Sequence, residues 1–584
     1  MFHLLVKISV LTLSAGILWL PGCDGNSTRS HKDDLAVNSL SASPSGSLPD
    51  SKPLGKSSGD TEIRFEDSSE EAKFSNIIST GFSRKLFGLV EIFGAGVAMV
   101  DFDCDGLQDL WFAGGGTFLE DKSVRGLTGE LYRGTGGMTM LPVGRKSGFD
   151  VSRYYSHSVL VADIDSDGFP DCVVTGYRGL QCFINQGDGT FQEVADHSGL
   201  NDDRWSTCGA LADFNNDGNL DIFVTRYADL IVGEGPVCAL ASDPSIPASC
   251  SPAYFPGVKD SFYLSEGDGS FKDFTEAAGI VDGGRGLGAI AADLDGDGNV
   301  DIYVANDTER NHLYRNDGHA VFSEIGVRAG VALDSRGAVG GSMGVALGDS
   351  NNDSLLDLFV TNFEKELPAL YRNRGKLLFR FDSLAAKIGM LGPSQSSWGT
   401  TFTDVDNDGD EDLIVISSHI EPTQPAYLQT PSLLENLGSG TFKDISSSVG
   451  DFFKQARPGR GLATGDIDGD GRVDFVSTNI DQPNTLLHNQ TKSDNHYLSV
   501  RLIGTISNRD AIGSTVILVC GDQTWTRHRY GGGSYASTCD KTLHFGVPRG
   551  SVLPAKLIIR WHLGKETQYD IDRWDRHVDF VEPN

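Results

Sequence analysis

Seven short acidic strings carry most of the chemistry this sequence can do. They begin at Asp101, Asp163, Asp213, Asp293, Asp349, Asp404 and Asp466 and read DFDCDGLQD, DIDSDGFPD, DFNNDGNLD, DLDGDGNVD, DSNNDSLLD, DVDNDGDED and DIDGDGRVD. Oxygen-bearing side chains recur at positions 1, 3, 5 and 9, and Gly holds position 6 in every copy but the fifth, where Ser354 stands. Alternate oxygens on a tight loop are what a hard cation such as calcium takes, with the carbonyl of position 7 and water completing the shell. The ligand set expected is Asp101, Asp103, Asp105 and Asp109; Asp163, Asp165, Asp167 and Asp171; Asp213, Asn215, Asp217 and Asp221; Asp293, Asp295, Asp297 and Asp301; Asp349, Asn351, Asp353 and Asp357; Asp404, Asp406, Asp408 and Asp412; Asp466, Asp468, Asp470 and Asp474. Up to seven Ca²⁺ would fill it, the fifth loop binding most weakly.

Two other readings of the strings compete with this one. An EF-hand loop shares the spacing but needs Glu at position 12 and a flanking helix. Here position 12 is Phe112, Val174, Val224, Val304, Val360, Val415 or Ser477, in β-rich company. Plain Asx-turns, in which Asp and Asn bond only to nearby amides, would explain a single copy. Seven copies that each crowd three or four carboxylates would repel one another strongly unless a cation were present. The formal charge of −32 thus becomes partly a store of ligand, and seven divalent ions would cancel a little under half of it. Such an acidic surface excludes nucleic acid as a partner class.

The strings recur every 50 to 80 residues, the spacing of one four-stranded blade. A strand of small residues precedes each (GAGVAMV, GLGAIAA, GRGLATG), a β-branched run follows, and most copies add a third segment (CFINQ, FYLSE, HLYRN, ALYRN, SLLEN) and a fourth led by Phe. The seventh copy lacks its fourth strand after Gln490, and Ile63–Asp67 has the fourth-strand pattern ahead of the first copy. Pairing the two would close the ring and remove both free edges. The fold class expected is therefore all-β: a seven-bladed β-propeller over residues 61–490, followed by a small β-sandwich-like domain over 491–584 built from YLSVRLI, TVILV, LHFGV and KLIIRW.

These repeats resemble FG-GAP or VCBS repeats, the calcium-binding propeller units also found in integrin α-chains. The C-terminal region, with NHYLSVRLIGTISNRDAIGS, RYGGGSYAS and LHFGV, is similar to the ASPIC/UnbV domain that follows such propellers in cartilage acidic protein and many bacterial proteins. The resemblance implies a calcium-dependent propeller and names no catalytic residue. RWHLG, from Arg560 to Gly564, departs from the family's usual turn.

The N-terminus reads as targeting. Lys7, an apolar run from Ile8 to Leu20 and Leu20-Pro21-Gly22-Cys23 make an export signal over 1–22 whose end resembles the lipobox of bacterial lipoproteins. Cys23 is the expected lipidation site, and the Ser-rich stretch 23–60 is the expected disordered tether. The chain is then exported and held to a bacterial envelope membrane only by lipid. Eight further cysteines suit an oxidising compartment. Cys238 with Cys250 and Cys520 with Cys539 are the candidate disulfides; Cys104, Cys172, Cys182 and Cys208 allow three pairings or stay as buried thiols. Arg527, His528 and Arg529, beside Gly531–Gly533, form the one basic cluster of the C-terminal region, read as a solvated strand face.

No HExxH or C-x-x-C string occurs. The function expected is a noncatalytic binding or adhesion module for an extracellular protein or glycan. The alternative is a calcium-dependent polysaccharide-degrading enzyme with its site in the propeller channel.

Overall fold

The computed structural model describes residues 61–584 except 75–76, 82–87, 122, 235, 237, 241–242 and 393. The export signal, Cys23 and the tether lie outside the described residues. Among the described residues the strands pair into seven four-stranded antiparallel meanders, one for each acidic string. The first is Val97–Val100, Asp109–Phe112, Glu130–Gly134 and Met140–Pro142. The seventh is Gly459–Gly465, Asp474–Asn479 and Thr485–Asn489, completed by Phe65–Asp67, whose residues face Asn489, His488 and Leu487. Innermost strands of successive meanders touch in order and the seventh meets the first, so the ring closes into an all-β propeller. Phe65 drops into the joint against Phe475 at 4.4 Å between ring centroids.

Small residues on the inner strands have a visible cause. Six of these strands carry a bulge near their start, for instance between Ser206 and Gly209 and between Gly459 and Leu462. A bulge frees a backbone N–H. Threonines of the second strand receive it: Ser158 N bonds Thr175 Oγ1 at 3.0 Å, Gly344 N bonds Thr361 Oγ1 at 2.7 Å and Gly461 N bonds Thr478 Oγ1 at 2.7 Å. The same hydroxyls donate to the neighbouring inner strand, Thr175 to Thr207 O, Thr361 to Trp398 O and Thr478 to Ala95 O. One side chain thus heals the bulge and joins two meanders.

The C-terminal region forms two sheets around a core of Leu498, Val500, Val516, Leu518, Trp525, Phe545, Leu557, Ile559 and Trp561. In one, His496–Ile503 lies between Leu543–Val547 and, in parallel, Arg576–Val581; the other runs Gln523–His528, Thr515–Cys520, Ala555–Arg560, Glu566–Ile571. Between Gln523–His528 and Leu543–Val547 the chain leaves this domain and runs into the propeller channel. Gly531–Gly532 pairs with Gly286–Ala292, Ser534 exchanges bonds with Val345, Thr538 exchanges bonds with Val97 and Met99, and Asp540 N bonds Thr464 O at 3.0 Å. The fit leaves no room for a side chain: a Cβ on Gly96 would lie 1.6 Å from Ala536 O, and one on Gly531 would lie 1.9 Å from Leu211 O. From the opposite end the helix Leu89–Phe93, buried along its whole length, closes the channel. The two inserts meet where Tyr535 Oη donates to Phe93 O at 3.1 Å.

Cysteine placement bears out one expected disulfide and corrects the other. Cys238 and Cys250 are bonded, but Cys520 and Cys539 are free thiols. Cys520 ends a strand of the C-terminal sheet, where its thiol donates to Val552 O, while the channel insert carries Cys539 into the propeller beside Thr464. Cys172, Cys182 and Cys208 are buried and free. Cys172 faces Phe183 and Cys182 faces Val173 across adjacent strands, so the two sulfurs point to opposite faces of the sheet.

Candidate metal centres at the acidic loops

Each loop turns from the first to the second strand of its meander through two left-handed residues, at positions 4 and 6. In the first loop these are Cys104 at φ 57° and Gly106 at φ 85°. Position 6 is Gly because only Gly adopts that backbone without strain. Ser354 takes it at φ 65°, at a cost of roughly 1–2 kcal/mol. The turn is held by its own carboxylates: Asp101 accepts from Asp105 N and Gly106 N at 3.0 and 2.9 Å, and Asp105 accepts from Leu107 N at 3.0 Å. Position 9 is wholly structural in its hydrogen bonding. Both oxygens of Asp109 accept backbone N–H groups, Phe102 at 2.9 Å and Gly134 of the third strand at 2.7 Å, and Asp171 and Asp474 repeat the pattern.

Carboxylate oxygens of Asp101, Asp103 and Asp109 converge to within 4.8 Å, as do those of Asp163, Asp165 and Asp171, of Asp293, Asp295 and Asp297, and of Asp404, Asp406 and Asp412. In the seventh loop the convergent set is Asp468, Asp470 and His488. In the third and fifth loops the Asn215 and Asn351 amides turn onto Asp217 and Asp353 at 2.8 and 2.9 Å. Asp103 Oδ1, Asp163 Oδ1, Asp295 Oδ1 and Asn351 Oδ1 are buried with no hydrogen-bond partner. Burial and the neighbouring carboxylates push Asp101 up to about 6 and Asp466 to about 7; for Asp163, pushed to about 8, Asp510 of the C-terminal domain is the leading neighbour. Orphaned oxygens and carboxylates that burial drives towards neutrality fit a hard, oxygen-seeking cation, which would restore their charge.

The sixth loop is the extreme case. Asp404, Asp406, Asp410, Glu411 and Asp412 are all buried, with the Arg527 guanidinium 3.4 Å from Glu411. The carboxyls of Asp404, Asp408 and Asp412 are driven up by burial and by neighbouring carboxylates. Arg527 is therefore buried at a domain interface, not on the solvated strand face expected from sequence.

The C-terminal domain sits on the face that carries the loops. Asp163 N bonds Asp510 Oδ2 at 2.9 Å, His562 Nε2 lies 3.2 Å from Asp213 O, Thr526 Oγ1 donates to Ser354 Oγ at 3.0 Å, His544 Nε2 lies 2.7 Å from Asn407 Oδ1 and Asn495 Nδ2 donates to Asp406 O at 3.1 Å. A Cβ on Gly409 would strike Trp525, and one on Gly471 would strike Tyr497, so position 6 also sets how closely the domain approaches. A polar cavity of about 130 Å³ remains in this interface, lined among others by Asp349, Glu411, Asp466, Arg527, Asp540 and Lys541.

A second recurring residue went unread in the sequence. The Asn that ends the third strand donates through Nδ2 to the position-2 carbonyl of the preceding meander's loop: Asn185 to Phe102 at 2.9 Å, Asn316 to Phe214 at 2.8 Å, Asn373 to Leu294 at 3.1 Å, Asn436 to Ser350 at 2.9 Å and Asn489 to Val405 at 2.9 Å. Its signal was present in INQ, YRN, LEN and LHN, and its reach to another repeat was not.

Ring, loops and capping domain together define an FG-GAP-type propeller. The chain carries FG-GAP-like repeats at residues 163–224, 254–304, 293–360 and 349–415, and an ASPIC and UnbV domain at 504–584. It is similar to cartilage acidic protein 1 of Homo sapiens, with 25% identity over 372 residues, 61% of this chain and 50% of that protein. The Xenopus tropicalis protein of the same name is 27% identical over 226 residues, 35% of this chain and 32% of the relative. The chain spans about half the length of the human relative it matches. Among solved structures, an Agrocybe aegerita lectin that recognises non-reducing terminal N-acetylglucosamine aligns with TM-score 0.38 and 17% identity over 67% of this chain and 87% of the lectin; a rhamnogalacturonan lyase aligns at 0.33 and 14% over 67% and 71%.

Proposed function

We propose that the chain is an exported, lipid-anchored, calcium-stiffened propeller that binds an extracellular protein or glycan without catalysis. The observation that carries this reading is how the molecule spends its surfaces. The loop face is covered by the C-terminal domain and the channel is filled by Tyr530–Asp540 and Leu89–Phe93. An enzyme with its site in the channel loses the space it needs.

What remains open is the opposite face, made by the turns between second and third strands. There the insertion closed by Cys238–Cys250 reaches from the third meander to the sixth, where Ser249 N donates to Glu421 Oε1 at 2.6 Å. Leu119, Ile231, Tyr254 and Leu428 stand exposed on the same end. Exposed apolar and aromatic side chains in disulfide-held loops suit a binding surface. Calcium in the loops would neutralise carboxylates otherwise trapped beneath the C-terminal domain. The test is a glycan array together with capture from native envelope extract, using the full chain and a Tyr254→Ala, Ile231→Ser variant. A partner retained equally by both proteins would refute this choice of face.

A further inference from the structure

The residue just before the third-strand Asn occupies one register position in all seven meanders, because the next backbone N–H always bonds the position-9 carboxylate: Gly134 to Asp109, Asn185 to Asp171, Ser265 to Asp221, Asn316 to Asp301, Asn373 to Asp357, Asn436 to Asp412 and Asn489 to Asp474, all at 2.7–2.9 Å. That position therefore stands beside its loop every time, and it is filled by Arg133, Ile184, Leu264, Arg315, Arg372, Glu435 and His488. Only Arg133 places its guanidinium on the ligand carboxylates at positions 3 and 5. Its Nε is 2.6 Å from Asp103 Oδ2 and an Nη is 3.0 Å from Asp105 Oδ2. Arg315 turns away to Asp317 at 2.7 Å, and Arg372 holds Asp357 and Ser350.

In the seventh loop the same register position also reaches positions 3 and 5, where His488 Nε2 lies 3.1 Å from Asp468 Oδ2 and 3.8 Å from Asp470 Oδ2, and a guanidinium arrives from within the loop. Arg472, its position 7, pairs with Asp470, while its Nε is fixed by Asn489 O at 2.8 Å. In the second, fourth and sixth loops no cationic side chain pairs with Asp167, Asp297 or Asp408 among the described residues, and the side-chain donor on Asp297 is the neutral Asn299 amide at 3.1 Å.

We propose that the first and seventh loops carry their counter-cation within the chain, as the Arg133 and Arg472 guanidiniums, and that calcium binds tightly only at the remaining loops. The inference rests on the calcium reading above and adds which loops take the ion. A tethered guanidinium acts at an effective concentration of millimolar or more. Because it must be displaced before Ca²⁺ can coordinate the same carboxylates, it weakens binding below the roughly 10⁻⁴ to 10⁻³ M range of extracellular calcium modules. Its +1 charge also lowers the negative potential that would draw Ca²⁺ in. The placement has a structural consequence. Loops one and seven belong to the two meanders that meet where the ring closes, the seventh being completed by Phe65–Asp67 from the other end of the chain. Side-chain cations there keep both loops neutralised whatever the surrounding calcium.

The experiment is calcium titration of the demetallated full chain by calorimetry, with metal analysis of the bound state. Arg133→Leu, and Arg472→Gln combined with His488→Leu to clear the imidazole from Asp468 and Asp470, are each expected to bind about one more ion per chain than the natural sequence, and Ile184→Arg, which brings a guanidinium to the second loop, about one fewer. Circular dichroism of each variant reports folding, and the two independent gain variants keep the test decisive if one fails to fold. Seven equivalent ions in the natural protein, unchanged in both gain variants, would overturn the inference and leave the calcium reading intact. A natural protein that binds no calcium would overturn both.

Discussion

The two faces of this propeller are built from opposite materials. The loop face is ionic, with carboxylates crowded beneath a folded domain that bonds to their backbone. At the other face the channel mouth is aromatic: Phe93, Tyr155, Tyr177, Trp205, Tyr227 and Trp398 pack in one cluster with Tyr535 of the insert. Arg460, fully buried there, stacks 4.0 Å over Trp398 and donates to Ile92 O, and burial drops it to about 10. The lesson is where stability can be regulated. Apolar packing is insensitive to ions, whereas a carboxylate cluster of fixed geometry holds only while its charge is met.

Backbone fit in the channel should show the largest effect, since it joins the two faces. Gly96→Val would drive a side chain into Ala536 O, and no rotamer of the insert relieves a backbone clash. We expect a loss above about 4 kcal/mol by chemical denaturation, or failure to fold. A loss under about 1 kcal/mol would mean that the insert is not seated in solution.

Calcium removal ranks next and acts on one face only. With calcium at ten times Kd, each filled site adds about 1.4 kcal/mol, so several sites together shift the melting temperature strongly. Chelation should also make the link near residue 495 more sensitive to limited proteolysis, because the C-terminal domain rests on the loops. Asp404→Ala, in the most buried loop, is expected to lower the calcium-dependent part of the stability more than Asp349→Ala does. Identical melting curves in chelator and in millimolar calcium would remove the ionic half of the contrast.

Legibility from sequence divides along the same line. The acidic strings could be read because one loop's chemistry lies within nine consecutive residues, and the fourth-strand pattern of Ile63–Asp67 could be matched to the gap after Gln490. Arg133 and His488 could not, since each lies 18 to 30 residues from the carboxylates it meets and only the strand register brings it back. The channel insert was hidden more deeply. Gly531–Gly533 read as a flexible loop beside a basic cluster, yet those glycines are there because Leu211 O and Ala289 O come so close. Inner-strand glycines were assigned to crowding without a partner, since that partner lies on the next meander, as Met343 O does for Gly288 and Trp398 O for Gly344, or on the C-terminal insert, as Ala536 O does for Gly96.

A smaller effect should come from the aromatic face through pH. His157 is buried, with Nδ1 3.0 Å from Gly94 O and Nε2 accepting from Trp205 Nε1 at 3.0 Å, a pattern that requires the neutral ring with its proton on Nδ1. Burial lowers it from 6.5 to about 4. The unfolded chain therefore takes up a proton below about pH 6.5 that the folded chain refuses until about pH 4, and stability falls across that window by at most about 3 kcal/mol. His157→Asn should be less stable at pH 7 and should lose less on going to pH 5. Equal losses in the two proteins would place the pH dependence elsewhere.

The disulfide should matter least for the whole ring and most for what the open face can hold. Closing the 12-residue span between Cys238 and Cys250 contributes about 3 kcal/mol in the chain-entropy account, but it constrains an insertion outside the meanders. The insertion is fastened to the ring by Ser249 to Glu421, by Tyr177, which donates to Leu230 O and accepts from Val232 N, and by Arg285, which donates to Phe255 O. Replacing both cysteines with Ser should loosen this segment locally, so the main melting transition should move by only a few degrees while proteolysis between 233 and 250 speeds up. Binding of the partner captured by the native protein should fall with it, because a mobile segment must be ordered again on binding. Unchanged partner affinity in that variant, alongside confirmed cleavage of the loop, would move the binding surface away from the insertion and towards the other turns of the same face.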